Sequence, residues 1–355
     1  MPTLENDRLV FRFPQIEEDA SFSIDFQRTL RIPDTDATYH LPPGLGNFPL
    51  RHVEDYVNAL PSQTVSRGGI ILPMWQSEAM WLNFTSRGPS FDLKFPVAIK
   101  VAAGKINAVT GDPWRPGLHR DPQDYMVSPT QPWLDGFAVE KGIIRQFVAM
   151  PLGEGYSVEE QLTGSHEWGG LQISVIPLKL EVWKEKRRQW EEARQQRLAQ
   201  SREPRVNGLY ALPDEVVCYS AAPMGLGAGG RMRQVIYPDT FGMNDWDITA
   251  ADRVFVTLEN AENWKSITGE AALNHPPTAQ DYARAGLPWF EYYGADQTAL
   301  PGSKKLSGVR SVASMFKKKT GATLPNSQDV KTVAPKPVGP GKSSGRPIHT
   351  PKDWE

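Results

Sequence analysis

Alternating hydrophobic and polar positions dominate the first 178 residues of the chain. In "FSIDFQRTLRI", Phe22, Ile24 and Phe26 share one face of a two-residue period, which is typical of a half-buried strand. "KFPVAIKVAAGKINAV" alternates in the same way and places Gly104 where a tight turn needs positive φ, so it predicts a hairpin. Pro and Gly separate many such runs. The pattern predicts a mainly β region, an antiparallel sandwich or a barrel-like domain.

The pattern changes abruptly at residue 179. Residues 179–202 are strong helix formers with a thin apolar line of Leu180, Trp183 and Trp190, which predicts a charged linker helix. From Thr320 on, the chain is rich in Pro, Gly, Ser and Lys, as disordered segments are. We therefore expect a β-rich domain over 1–178, the linker helix over 179–202, a smaller mixed α+β domain over 203–319 and a disordered basic tail over 320–355.

Two further helices follow from local signals. Ser157 and Glu160 form a capping box, and Gly164 is a typical terminator, so a short helix is predicted between them. Residues 303–319 place four apolar side chains on one helical face with lysines at both ends, which predicts one basic amphipathic helix. Such a helix packs on its own domain or docks on a partner or a membrane surface.

Charge is distributed unevenly along the 355 residues. The net charge is −2, but residues 303–355 carry eleven Lys and Arg against three acids, which leaves an acidic body. This asymmetry indicates that the basic tail meets an anionic partner or the body itself. Nucleic acid is not the expected partner, because no zinc finger or aromatic-and-basic ribonucleoprotein signature is present.

Composition also bears on the compartment. Cys218 is the only cysteine, so it forms no internal disulfide, and its apolar neighbours favour a buried, inert thiol. The N-terminus does not resemble a signal peptide, and no apolar run approaches the roughly 20 residues of a membrane-spanning helix. We expect a soluble, cytoplasmic protein.

The segment "MGLGAGGRMRQ" contains the only match to a named cofactor motif, GxGxxG. A dinucleotide site needs a long helix after the glycines and an acidic residue about 20 positions on, and Pro238 stops the segment too early. We interpret it as an exposed glycine-rich loop. If it binds a ligand, the expected site is an anion site built from the backbone N–H groups of Gly227, Gly229 and Gly230 with Arg231 and Arg233.

A second candidate lies in "QPWLDGFAVEKGIIRQ". If a hairpin turns at residues 141–142, Asp135 and Glu140 flank it near Trp133, with Arg145 on the returning strand. Paired carboxylates beside an aromatic wall are typical of the active sites of glycoside hydrolases. The alternative is a structural hairpin with a solvated tip.

The chain contains eleven tryptophans, which concentrate in cores and at recognition surfaces. Trp75 and Trp81 lie six residues apart and would share one side of a strand, and with Trp133 they form the candidate ligand or interface platform. Packing of these rings in the core is the alternative. A separate cluster of His119, Asp121 and Asp124 has the residue types of a metal or acid–base site, but we favour a Pro-rich surface loop stabilised by Asp turns. No metal or cofactor is predicted.

Several long phrases carry a resemblance: "LPPGLGNFPLRHVEDY", "ILPMWQSEAMWLNF", "PVAIKVAAGKINAVTG" and "DPQDYMVSPTQPWLDGFAVEKGIIRQFVAMPLGEGYSVEEQLTG". They resemble a widespread family of uncharacterised microbial proteins, some labelled integral membrane protein. The resemblance covers most of residues 1–178 and, in part, the glycine-rich segment. It implies no activity and no functional residue.

These observations lead to two hypotheses about function. The first is a non-enzymatic binding or assembly protein that uses its Trp-bearing surfaces and binds a protein partner or a second copy of itself. The second is a hydrolase that acts on a sugar-like or phosphorylated small molecule, with Asp135 and Glu140 as acid and base and Arg145 orienting the substrate.

Overall fold

The computed structural model describes residues 1–200, 224–292 and 298–338. Its architecture is mainly β, as predicted, with one large, mostly antiparallel sheet and one small parallel sheet. The strands in these ranges are β1 (Thr3–Glu5), β2 (Arg8–Arg12), β3 (Ser21–Thr29), β4 (Thr38–Tyr39), β5 (Gly44–Asn47), β6 (Arg51–His52), β7 (Ile70–Met74), β8 (Ala79–Arg87), β9 (Val97–Ala103), β10 (Ile106–Asn107), β11 (Met126–Ser128), β12 (Trp133–Leu134), β13 (Gly136–Glu140), β14 (Ile143–Pro151), β15 (Leu171–Pro177), β16 (Met224–Arg233), β17 (Asp252–Asn260), β18 (Phe290–Tyr292) and β19 (Lys336–Val338).

The helices of the described ranges are short, with one exception. They are α1 (Ser62–Arg67), α2 (Val158–Thr163), α3 (Leu180–Gln200), α4 (Trp264–Thr268), α5 (Ala279–Arg284), α6 (Lys304–Ser307) and α7 (Val312–Thr320), with single 3-10 turns at Val53–Tyr56, Met243–Asp245, Ile248–Ala250 and Ala261–Asn263. None of the described helices has the length and apolarity needed to cross a membrane.

The large sheet has two halves. In the first, β1, β2, β3 and β8 are antiparallel neighbours, and β8 also pairs with β12 and with Phe147 and Val148 in the middle of β14. β13 and β16 flank β14 on its two edges. In the second half, β7, β17, β15, β9 and β11 follow one another, with β7 parallel to β17. The halves join where β16 meets β17.

One hydrophobic cluster lies between the two halves. It contains Phe22 and Phe84 from the first half and Ile99, Ile173 and Val256 from the second, all nearly inaccessible to solvent. Because side chains alternate along a strand, the same strands present a second set of residues on their outer faces. The candidate site described below lies on one such outer face.

The predicted hairpins and capped helix are confirmed. Gly104 turns β9 into β10 with a φ of 57°, and residues 141–142 turn β13 into β14. The Ser157 hydroxyl accepts the backbone N–H of Glu160, whose carboxylate accepts the N–H of Ser157, and Gly164 ends α2 in the left-handed conformation. Local chemistry suffices for these elements because their stabilising bonds are local.

The helix predicted over 179–202 is present as α3, and its narrow apolar seam packs on the body, whereas its role as a linker stays a prediction. Trp183 is buried against Phe95 at a ring separation of 5.0 Å and donates its indole N–H to Glu17. The strands β16 and β17 follow α3 in the chain, yet both pair with strands of the first 178 residues. The boundary at 179 stays a prediction from composition, and the sheet runs across it.

The C-terminal part differs from the prediction. Residues 304–319 form two helices, α6 and α7, because Gly308 ends the first and the Ser311 hydroxyl caps the second. Residues 321–338, here the C-terminal strap, were predicted to be disordered but lie on the body. Asp329 accepts the hydroxyls of Thr35 and Tyr39, and β19 pairs with β18. The rest of the predicted tail, residues 339–355, lies outside the described residues.

Candidate functional site

Trp133 lies on the outer face of the first half of the sheet, at the start of β12. Its backbone carbonyl accepts two amide N–H bonds, from Gln131 Nε2 at 3.0 Å and from Gln234 Nε2 at 3.1 Å. Its indole N–H donates to the Asp135 carboxylate, and its ring packs in a T-shape against Tyr292, with the ring centroids 4.7 Å apart and the planes at 87°. Trp133 is therefore held at its backbone, at its N–H and by a second aromatic ring.

Two neighbouring cavities share Trp133, Leu41 and Phe290 in their walls, and we call them together the Trp133 cleft. The first cavity has a volume of about 350 Å³ and is lined further by polar side chains that include Arg233 and Glu291. The second has a volume of about 340 Å³. Its other lining residues are Pro42, Pro43, Gly44, Trp81 and Asp135.

Trp81 reaches the second cavity because of its position in β8. Its neighbours Met80 and Leu82 point into the hydrophobic cluster between the sheet halves, so Trp81 points to the outer face. β12 pairs with β8 through Trp133 and Asn83, which brings the two tryptophans onto one surface, two residues apart in register. The predicted Trp81 and Trp133 platform is thus assembled by strand pairing.

A distant part of the chain closes the cleft. Leu41 and Phe290 exchange two backbone hydrogen bonds of 2.9 Å, which fixes β18 beside the β4–β5 connection. β18 in turn pairs with β19 of the C-terminal strap. Sequence reasoning missed Leu41, Phe290, Tyr292 and the two glutamines, and no local signal marks them, since each acts through a contact with a distant segment.

Asp135 is the ionisable group among the described residues that line the second cavity. Its residue is 5% exposed, and its backbone N–H donates to Gln234 Oε1. Burial raises the pKa of Asp135 to about 7, against the opposing effect of the Trp133 indole bond. Among the described residues no Lys, Arg or His forms an ion pair with it. This carboxyl is poised to titrate near neutral pH within an aromatic wall.

The structure does not bring the predicted catalytic trio together. Asp135 precedes β13 and Glu140 ends it, and five residues of extended chain separate their Cα atoms by about 15 Å. Glycosidase carboxyl pairs lie about 5–10 Å apart. Arg231 holds Glu140 through two bonds of 2.8 Å, which lowers the pKa of Glu140, and Arg145 bonds to Asp34 instead.

The glycine-rich segment is a strand, and its prediction as a loop is wrong. It forms β16, buried over most of its length and paired with β14. Successive N–H groups of a strand point to opposite edges, so Gly227, Gly229 and Gly230 do not form the backbone nest that the anion-site hypothesis requires. The two arginines contact carboxylates, Arg231 that of Glu140 and Arg233 that of Glu291 at 3.5 Å.

Close packing explains these glycines. A Cβ at Gly227 would lie 2.6 Å from a Val312 side-chain carbon, and one at Gly229 would lie 2.5 Å from a Val148 carbon. At Gly230 the nearest atom is a backbone oxygen at 2.4 Å. The glycines permit close approach, as in a dinucleotide site, but the group that approaches is the protein itself.

Trp75 does not belong to the platform predicted for it. A turn separates it from Trp81, and it is buried in a different cluster with Trp264. Its indole N–H donates to the Leu273 carbonyl, and its ring stacks on His275 at 3.7 Å. The core alternative is the correct one for this residue.

The His119 cluster is a folded loop. Asp124 accepts Lys100 Nζ at 2.6 Å and the His119 backbone N–H at 2.9 Å, and its other contact is the His119 ring. Asp121 is exposed and does not join them. Within the described ranges no group of three potential ligands is close enough to hold a metal ion. Cys218 lies outside the described residues.

Comparison of the chain with protein-family models, with curated proteins and with solved structures found no match in any of the three. The resemblance of the N-terminal phrases to a microbial family therefore stays a prediction.

Proposed function

We propose that this chain is a non-enzymatic binding protein and that the Trp133 cleft is its binding site. The observation that carries the proposal is the fixed indole of Trp133 between two cavities of about 350 and 340 Å³. Ligand sites are typically concave, largely apolar and aromatic, with a few placed polar groups, and the cleft combines these features.

Trp133 is held in place by hydrogen bonds, and this favours a role in ligand binding over a role in packing alone. Two glutamines bond its carbonyl and Asp135 bonds its N–H, but its ring remains only partly buried. A ring that is already immobile loses little conformational entropy when a ligand stacks on it. The cavities suit a small molecule or one side chain of a partner protein, which also fits the expected partners, a second protein or a second copy of this chain.

The hydrolase alternative is less well supported. The raised pKa of Asp135 is what a general acid needs. However, Glu140 lies about 15 Å away along β13, and the described lining of the second cavity contains Asp135 as its only carboxylate. Two carboxyl groups on opposite sides of one bond are required for the proposed chemistry.

Indole N–H signals offer a direct test of binding. We would record ¹H–¹⁵N spectra of the full chain with glucose, uridine, indole, phenol and choline, and assign three indole signals with the variants Trp133→Phe, Trp81→Phe and Trp75→Phe. We expect at least one compound to shift the Trp133 and Trp81 signals in a saturable way and to leave that of Trp75, the buried control, unchanged.

The same experiment can overturn the proposal. If none of the five compounds shifts the Trp133 signal at millimolar concentration and the chain sediments as a monomer, the proposed binding function fails. The proposal also fails if Trp133→Ala keeps the folded spectrum and leaves every ligand-induced shift at Trp81 unchanged. Sedimentation of the same samples tests self-association independently.

A further inference from the structure

We propose that the second cavity of the Trp133 cleft is a cage for an organic ammonium cation of the alkylammonium type. The inference rests on the proposed binding function and names the ligand class of that site. Its elements are the aromatic rings of Trp81, Trp133 and Phe290 and the carboxyl group of Asp135 in one wall.

The aromatic rings supply the first part of the argument. The face of an indole or phenyl ring attracts a cation, most strongly for Trp, and the attraction is worth about 2 kcal/mol or more when the cation is desolvated. Aromatic cages recognise quaternary ammonium groups in this way. The volume of about 340 Å³ is many times the roughly 30 Å³ of a water molecule, so such a group fits.

Asp135 supplies the second part. If its role were only to accept the Trp133 indole N–H, an Asn amide oxygen would accept the same bond without the cost of burying an ionisable group. Burial raises its pKa to about 7, and no ion pair among the described residues offsets that cost. A bound cation would stabilise the carboxylate, since an opposite charge within about 4–6 Å favours the charged form.

The charges around the second cavity favour a cationic ligand over a neutral or anionic one. The charged side chains of the cleft, Arg233 and Glu291, line the first cavity together with His40. Among the described residues that line the second cavity, Asp135 is the only ionisable one. The body of the chain is acidic, with the excess of basic residues confined to residues 303–355, so its field attracts cations.

Two isosteric probes test the charge requirement on the unmodified chain. Choline carries a trimethylammonium group, and 3,3-dimethyl-1-butanol has the same shape without the charge. We expect choline to shift the Trp81 and Trp133 indole signals and to bind at least tenfold more tightly than the alcohol. Equal binding of the two compounds would overturn the cage and leave the proposed binding function intact.

A matched pair of variants tests the role of Asp135. Asp135→Asn keeps the shape and the indole bond, and we expect it to weaken choline binding at least tenfold. Glu154→Gln removes one exposed carboxylate outside the cleft and should leave choline binding unchanged. An unchanged affinity in Asp135→Asn, or an equal loss in both variants, would overturn the inference.

The pH dependence gives a readout that a structural role of Asp135 would not produce. With a pKa of about 7 in the free protein, the ionised fraction rises about tenfold between pH 6 and pH 8, and choline affinity should rise by the same factor. Binding of the alcohol should not change over this range. A choline affinity independent of pH would contradict the requirement for the carboxylate.

A peptide containing trimethyllysine separates two sources of the cation. Tighter binding of free choline indicates a small-molecule ligand, and tighter binding of the peptide indicates a modified side chain of a partner. If neither probe shifts the Trp81 or Trp133 signals, the cage is refuted, and the proposed function is then decided by the other four compounds.

Discussion

Glu259 is a buried carboxyl without an ion pair in the described chain, and its replacement by Gln tests how the fold handles such a group. Glu259 lies on β17, in register with Pro73 of β7, and is 3% exposed. Its Oε1 has no hydrogen-bond partner. Burial raises the pKa of Glu259 from 4.5 to about 7.

The size and sign of the effect follow from this shift. One pKa unit corresponds to about 1.36 kcal/mol, so the full difference between folded and unfolded chains is about 3 kcal/mol. Because the folded pKa is the higher one, the folded state binds the proton more tightly. The contribution is fully present below pH 4.5 and is lost as the pH rises to about 7.

The assay is urea unfolding of the wild-type chain and of Glu259→Gln at pH 4.5 and pH 8. We expect the free energy of unfolding of the variant, relative to wild type, to increase by about 3 kcal/mol between the two pH values. Asp135 and Glu78 are present in both proteins, so their own titrations cancel in the difference. Glu54→Gln, at a mostly exposed position, is the matched control and should follow the wild-type curve.

Parallel pH curves for wild type and Glu259→Gln would refute this reasoning. They would mean that the carboxyl has the same proton affinity in the folded and unfolded chain, and hence that it is solvated or paired in solution. A curve for the variant that falls more steeply than that of wild type would refute the sign.

Three further predictions concern other parts of the fold. Gly230→Ala should lower the stability measured by thermal unfolding by about 2 kcal/mol or more, because its Cβ would lie 2.4 Å from a backbone oxygen. The control Gly308→Ala, whose Cβ would lie 3.5 Å from its nearest neighbour, should change the stability by less than about 1 kcal/mol. Equal effects of the two substitutions would contradict the packing argument. Arg28→Leu leaves the buried Glu78 without its ion-pair partner at 2.6 Å and should lower the free energy of unfolding by about 3–5 kcal/mol at pH 8. The loss should be smaller at pH 5, since burial raises the pKa of Glu78 to about 6. A loss of stability that is independent of pH would contradict this. Asp329→Ala removes both hydroxyl bonds of the C-terminal strap, so trypsin should cleave the strap faster than in wild type, and an unchanged rate would show that these bonds do not hold it.

The strands and the capped helix were predictable because their signals are local. Phe22, Ile24 and Phe26 alternate with polar residues because only one face of β3 meets the core. The capping box of α2 lies within four residues, and its bonds do not depend on the rest of the fold. The sequence therefore predicted the class of the fold and those of its elements whose signals are local.

The glycine-rich strand shows where local reasoning fails. In "MGLGAGGRMRQ" the intrinsic preference of glycine for loops is real, and the isolated segment has no strand pattern. The contacts that override it come from Val148 and Val312, which lie far away in the chain and need the space that a Cβ would occupy. A pattern along the chain contains no information on how closely such distant side chains approach.

The candidate site was predicted in part for the same reason. Trp81, Trp133 and Asp135 were candidates because of their residue types, and the pairing of β8 with β12 placed the two tryptophans on one face. Their separation from Trp75 and from Glu140 could not be read from spacing, since it depends on a turn and on the length of β13. Phe290 joins the site only through its bonds to Leu41.

The bonds around Trp133 connect the stability of the fold to the proposed function. The Gln234 amide bonds both the carbonyl of Trp133 and the backbone N–H of Asp135, so one side chain from beyond β16 positions the ring and the carboxyl together. The carboxyl is desolvated by that position, which costs the free protein stability at neutral pH. In the proposed cage a bound cation stabilises the carboxylate and so offsets the cost of its desolvation. The desolvation of Asp135, which destabilises the free protein, therefore contributes to the affinity for the cation. An Asn at this position would give a more stable protein above pH 7 and a weaker site, because the feature that destabilises the free chain is the one that attracts the ligand.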